Sequence, residues 1–382
     1  MDDARRTRRG WTRRSFLQTV GAAPTLSLVL QGQARAQAAD PPPSDKFSPI
    51  DLRRLFNASS HDLGSRDEFR RLGGDCAEDG LLRTPSGRQA LRGLPFRLGP
   101  ESLNEKRWVL LSTRPGAPAR SVEVPEGEAL LGAARGSVEF GWDNEFPEHR
   151  VHVPRFAIDD HPVTNAELLA FVRDGGYDEP RLWREDDWAW RTRRCVQHPH
   201  SWVREGGGFR VRSLLKDVPF DRAAEWPAMT SWAEAAAYAR WRKAHLPSEA
   251  EWRRAAHGTP EGGDRRWPWG DATPAGCHGN FHFRHGSPLP SGSHPAGASA
   301  WGVLELVGNG WEWTGTPFGP FPGFEPLPRY PGYSADFFDG SHYVLLGASW
   351  ATDEALLRPS FRNWFQPHYP YVFAKFRCAR AV

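Results

Sequence analysis

The stretch 304–314 holds the chain's densest grouping of residues able to bind or react, reading Leu-Glu-Leu-Val-Gly-Asn-Gly-Trp-Glu-Trp-Thr. Gly308 and Gly310 flank Asn309 and permit a backbone path closed to residues with a Cβ. Trp311 and Trp313 then place two large rings around the Glu312 carboxylate. Two roles fit. Asn309 and Glu312 satisfy backbone groups in a buried turn, or they are oxygen ligands in a metal-binding loop beside a pocket wall, calcium taking about six to eight oxygens. Cys277, His278, His282 and His285 crowd one loop, and His198 and His200 another. Histidine with cysteine is a transition-metal palette. Gly279 and Asn280 argue against a helix that would align His278 with His282, so loop histidines that hydrogen-bond are the reading adopted. Cys378, between Arg377 and Arg380, is either a thiol activated by those charges or a buried or bridged one.

The elements that must position these groups are short. Gly 38, Pro 34 and Trp 18 predict many turns, with tryptophan supplying the packing. Charged residues at 25% and hydrophobic ones at 39% are those of a chain that folds. The net charge of +3, partly from a basic N-terminus, demands no nucleic-acid partner. Thr164 caps a helix, with Glu167 completing a capping box, and Gly175-Gly176 stops it. An Ala-rich helix runs from a cap at Thr230 or Ser231 to Trp241. A third starts at Ser248, with Glu249 and Glu251 on the positive end of its dipole. Trp183, Trp188, Trp190 and Trp202 fall in a stretch read as loop, and beyond Gly258 only loops and short strands are predicted. Strand signals lie at 94–98, 108–112, 121–124, 150–153 and 156–160.

Arg5, Arg6, Arg8, Arg9, Arg13 and Arg14 form a basic leader, and Thr12-Arg13-Arg14-Ser15-Phe16-Leu17-Gln18 resembles a twin-arginine export signal. The apolar run 19–30 is too short to span a bilayer, and Ala34-Arg35-Ala36 and Ala36-Gln37-Ala38 are cleavage patterns. The chain is therefore expected in the periplasm or secreted, with no membrane contact once the signal is removed. Three segments follow: a signal peptide at 1–38, a small β-rich domain at 39–123, and a main domain at 124–382. Cys76, Cys195, Cys277 and Cys378 allow three full pairings in an oxidising compartment, and the sequence does not choose among them.

Pro162-Val163-Thr164-Asn165, Leu246-Pro247-Ser248-Glu249-Ala250-Glu251-Trp252, Trp267-Pro268-Trp269-Gly270, Val307-Gly308-Asn309-Gly310-Trp311-Glu312-Trp313, Leu346-Gly347-Ala348-Ser349-Trp350, Phe361-Arg362-Asn363 and Phe376-Arg377 stand in an order that resembles the formylglycine-generating-enzyme (sulfatase-modifying factor) family. The resemblance implies an α+β fold, irregular and loop-rich, related to C-type lectins, here with the β-rich N-terminal appendage. Phe140-Gly141-Trp142-Asp143-Asn144-Glu145, Tyr330-Pro331-Gly332-Tyr333-Ser334 and Ser360-Phe361-Arg362-Asn363-Trp364 are similar to the C-terminal half of sulfoxide synthases. Those iron enzymes use oxygen to join a thiol to a histidine derivative in ergothioneine and ovothiol synthesis.

The resemblance implies a tryptophan-lined cleft in which Trp311, Trp313, Trp350, Arg362, Asn363, Tyr369 and Tyr371 bind substrate. Arg362 would hold a carboxylate as a fork, and Tyr330 or Tyr333 would be the catalytic proton donor. It also implies calcium in a structural role, with Asn280 near one ligand position, Glu305 and Asn309 near a second, and Glu312 beside them. Iron or copper is the implied redox metal. The synthases' His-x3-His-x-Glu motif is absent, and 357–363 lacks the cysteine of the copper-binding pair, so its ligands are not identified. The expected activity is that of an oxidoreductase-like enzyme using oxygen on a small thiol, peptide or histidine-like substrate. The alternatives are a ligand-binding module without catalysis, or a subunit whose metal-binding half is a separate chain.

Overall fold

The computed structural model describes residues 119–214 and 216–382, together with a two-residue ladder pairing Asp75–Cys76 with Leu82–Arg83. The export signal and the strands expected at 94–98 and 108–112 lie outside the described residues.

Strands β1 (Ser121–Val124), β2 (Gly127–Leu131), β3 (His149–Val153) and β4 (Phe156–Asp159) come first. β2 and β3 pair antiparallel from Gly127↔Val153 to Leu131↔His149. β1 pairs with β4, so the strand assigned to the end of the first domain belongs to a sheet of the second. Helix α1 (Asn165–Arg173) carries the expected box: Thr164 Oγ1 accepts from Glu167 N, and Glu167 Oε2 accepts from Thr164 N at 2.8 Å.

Helix α2 (Glu185–Arg194) occupies the stretch read as loop. Its signal was charge polarity, not apolar periodicity. Glu185, Asp186 and Asp187 fill the first turn and Arg191, Arg193 and Arg194 the last, matching the helix dipole at both ends. Strands β5 (Trp202–Glu205), β6 (Gly208–Arg212) and β7 (Asp217–Pro219) form a small antiparallel sheet, followed by the short α3 (Phe220–Ala223). Helices α4 (Trp232–Trp241) and α5 (Glu249–His257) start from capping boxes at Ser231 and Ser248, which settles the Thr230 or Ser231 alternative.

The remaining strands are β8 (Gly310–Pro317), β9 (Tyr343–Ala348), β10 (Asn363–Phe365), β11 (Ala374–Lys375) and β12 (Ala379–Ala381), with one short helix, α6 (Gly332–Ala335). β12 joins β4 and β1. The central sheet has the order β10-β9-β8-β11, with only β8 and β11 parallel. Because side chains alternate along a strand, this sheet parts the core in two. Trp311, Trp313, Tyr343, Leu345 and Phe365 pack with α1 and α4, whereas Val344, Leu346 and Trp364 pack with Trp252 of α5. Each large ring buried here removes about 150–250 Å² from water, worth roughly 4–6 kcal/mol before conformational entropy is charged.

Candidate functional site

Glu312 lies in β8 on the Trp252 side of the sheet and is fully buried. It accepts from Trp252 Nε1 at 3.0 Å, Lys375 Nζ at 2.8 Å, and Arg377 Nε and Nη2 at 2.5 and 3.1 Å. Burial pushes its pKa up, but the Arg377 and Lys375 charges outweigh this and hold it below the ordinary carboxylate value. Both oxygens are engaged by donors, so of the two roles open for Glu312 the structure supports the structural one.

Gly308, at φ +91°, lies so close to Asn280 that a Cβ would come within 2.7 Å of its carbonyl oxygen. That approach builds a buried knot. Asn309 Oδ1 accepts from Leu289 N and Asn280 Nδ2, and Asn309 Nδ2 donates to Leu289 O and Glu305 Oε2. Glu305 Oε1 accepts from Gly292 N. In this knot only Asn280 Oδ1 lacks a hydrogen-bond partner, against the six to eight or so oxygens calcium takes. The side-chain oxygens of Asn309 and Glu305, implied as calcium ligands, are thus engaged by donors of the chain. Burial, opposed by Lys375, raises the Glu305 pKa, as expected for a carboxyl satisfied by neutral donors.

Among the described residues no three His, Cys, Asp or Glu side chains are grouped to hold a metal. His278 stacks on Trp269 and accepts from Ala275 N, while His282 faces Asp353. Cys195, Cys277 and Cys378 are free thiols. Burial, ahead of the Asp159 charge, pushes the Cys378 pKa up, so its flanking arginines do not activate it.

The two tyrosines sit at the Trp364 face. Trp142 stacks on Tyr333 at 4.3 Å between ring centroids, Trp364 meets Tyr333 edge-on at 5.6 Å, and Tyr330 meets it at 6.3 Å. Phe140, 54% exposed, stands edge-on to Trp142 and opens the cluster to solvent. A clamp fixes this geometry. Asp143 Oδ1 accepts from Ser334 Oγ in α6 and Oδ2 from Leu327 N, while Asn144 Nδ2 donates to Ser334 Oγ at 2.9 Å. Burial raises the Asp143 pKa against those hydrogen bonds. Trp142, Asp143, Ser334 and Trp364 were not read as site residues; the dense Phe-Gly-Trp-Asp-Asn-Glu run was the signal available.

The other expected substrate-binding residues do not share this cluster. Arg362 is buried below it, pinned to Glu249 at 2.9 Å and to the carbonyls of Asn144 and Gly319, with its guanidinium 4.0 Å over the Phe321 ring. Its fork is already occupied by a carboxylate of the chain. Trp311 stacks on Phe361 on the opposite face, and Trp313 donates to Thr230 O in the core. Trp350 packs on Phe373 in a separate cluster. Asn363 Oδ1 accepts from Trp364 N. Tyr369 stacks on Phe365, and Tyr371 stands edge-on to His200. The single cleft expected from the sequence is thus divided by the central sheet.

Residues 110–382 match the family model described as sulfatase-modifying factor enzyme 1-like domain. The chain is 40% identical over 294 residues to the hercynine oxygenase of Mycolicibacterium smegmatis, covering 76% of this chain and 67% of that protein. It is 43% identical over 252 residues to that of Mycobacterium tuberculosis, covering 65% of this chain and 58% of that one. With the formylglycine-generating enzyme of Mycobacterium tuberculosis it shares 31% over 250 residues, 54% of this chain and 76% of the other. The chain therefore spans about three-fifths to two-thirds of the hercynine oxygenases it matches. A structural similarity to PvdO from Pseudomonas aeruginosa has a TM-score of 0.48 at 21% identity, covering 71% of this chain and 100% of that one.

Proposed function

Since this chain belongs to the sulfatase-modifying factor enzyme 1-like domain family, we propose that it is an oxidoreductase-like enzyme using oxygen on a small histidine-like or thiol substrate, exported by the twin-arginine route to the periplasm or beyond. The observation that carries the reading is its 40% identity to a hercynine oxygenase, together with an aromatic cluster that opens at Phe140 beside Tyr330 and Tyr333. Trp142 and Tyr333 cover each other's faces, and the exposed Phe140 ring at their edge is the surface left to a flat or cationic ligand. Burial, then the Asp336 charge, raises the Tyr330 pKa, so its hydroxyl stays protonated at neutral pH and can donate to a developing anion. The described residues hold the substrate, shield it on one side and keep a proton on Tyr330 Oη.

The test is calorimetric titration of the full chain, purified through an export-competent host, with hercynine, alongside oxygen uptake with hercynine and cysteine and metal analysis of the same sample. Trp142→Ala is expected to weaken binding about tenfold, the loss of roughly one aromatic stack. Tyr330→Phe is expected to retain binding and lose turnover. Binding without oxygen uptake in the wild type would make the chain a binding module or the substrate-holding subunit of a larger enzyme. Absence of hercynine binding overturns the substrate class. For export, Arg13→Lys with Arg14→Lys is expected to leave the unprocessed chain in the cytoplasm; export at the wild-type level removes that part of the proposal.

A further inference from the structure

A cleft of about 250 Å³ lies on the Trp311 side of the molecule, where the end of α2, the β5–β6 hairpin and the first turn of α4 meet. Trp190 and Trp202 form its apolar walls, and Cys195, His198, Glu234 and Arg212 supply polar groups. Most of these are already engaged. Glu234 accepts from Tyr177 Oη at 2.7 Å and from Ser231 N and Oγ at 2.8 and 2.6 Å. His198 Nδ1 lies 3.0 Å from Pro199 O.

Arg212 differs. Its Nε is buried without a hydrogen-bond partner, and its side chain forms no ion pair among the described residues. Four other arginines also bury an Nε without a hydrogen bond, but each side chain has an ion-pair or carbonyl partner. Arg191 pairs with Asp178 at 2.6 Å and Arg253 with Glu249 at 4.0 Å. Arg254 donates to the carbonyls of Glu126 and Glu128, and Arg362 donates to Glu249 at 3.0 Å. The residue as a whole is half-buried, so its terminal nitrogens remain accessible from the cleft, and a carboxylate accepting two parallel N–H bonds is what a guanidinium fork best satisfies.

We propose that this cleft is a binding site for a small carboxylate with a flat apolar body, of amino-acid size, whose carboxylate is gripped by Arg212 and whose body lies between Trp190 and Trp202. The site is independent of the tyrosine cluster and of the reaction proposed there.

Cys195 provides the test, because its exposed thiol lines the cleft while the exposed Cys277 lies outside it. The full native chain is alkylated with iodoacetate or iodoacetamide, and both cysteines are followed by peptide mass mapping. A fixed cation in a walled cleft concentrates an anionic reagent by about tenfold or more. The iodoacetate-to-iodoacetamide rate ratio at Cys195 is therefore expected to exceed that at Cys277 by about this factor, and to fall to parity in Arg212→Met. Indole-3-acetate is expected to protect Cys195 in the wild type, and indole-3-acetamide to leave it reactive. Equal ratios at the two cysteines, or a preference that survives in folded Arg212→Met, overturns the site. If Arg212→Met does not fold, the wild-type comparison decides: protection by both indole compounds or by neither excludes carboxylate recognition.

Discussion

Glu312 accepts hydrogen bonds from an indole, an ammonium and a guanidinium, all inside the protein. The pair of cations is tolerated there only because the carboxylate stays ionised. Burial lowers the Lys375 pKa, and only Glu312, with help from Glu305, pulls it back. Glu312→Gln removes the anion and strands two buried cations, so it is expected to cost about 3–5 kcal/mol of unfolding free energy. Lys375→Met leaves Arg377 paired with Glu312 and is expected to cost less. Urea denaturation of both variants checks the order, and a Glu312→Gln penalty smaller than that of Lys375→Met would contradict it. The Trp-Glu-Trp run was legible in the sequence as a special place. Whether its carboxylate served a metal or the chain was not, because Lys375 and Arg377 lie more than sixty positions away.

At the scale of elements, legibility followed how local the signal was. Thr164, Ser231 and Ser248 each cap a helix through a Glu three residues on, and these starts were readable because the whole device spans four residues. α2 is hard to read because its aromatic residues resemble those of the loops around it and its signal lies in charges sorted to its two ends. The clamp on α6 was illegible for a different reason: Asp143 and Ser334 are 191 positions apart. A four-residue helix cannot hold itself, and Asp143 ties it and Leu327 to the Trp142 segment, beside the ring contacts of Tyr333. Asp143→Ala leaves the Ser334 hydroxyl and Leu327 N–H short of an acceptor, at an expected cost of about 1–3 kcal/mol. Hydrogen exchange should quicken at 327–335 and stay unchanged in α4. Uniform acceleration across both segments would mean that Asp143 supports the whole domain and not this helix.

Across the whole molecule, the central sheet explains why family-marker segments adjacent in sequence do not converge on one cleft. Arg362 and Trp364 face one core, Trp311 and Phe361 the other. Strand alternation assigns consecutive residues to opposite faces, and a motif read as a string does not carry that assignment. The same two-core construction buries titratable groups that set the pH range of the fold. His257, at the end of α5, is buried with Nδ1 3.1 Å from Arg265 O; burial, then the Arg253 charge, lowers its pKa to about 3. His294 is lowered to about 4 by burial and His285. In the unfolded chain both take a proton near the ordinary histidine value, about 6.5, which the folded chain refuses until far lower pH. Their contribution is therefore complete above about pH 6.5 and is lost as the pH falls, at about 1.4 kcal/mol per pH unit for each proton. His257→Gln retains a side-chain donor without the titration. Its unfolding free energy is expected to fall less steeply than the wild type's between pH 6 and 4, by about one proton's worth of slope. Parallel curves for the two proteins in urea melts across that range would show that His257 accepts its proton without unfolding the domain, and that the core around α5 admits a charge.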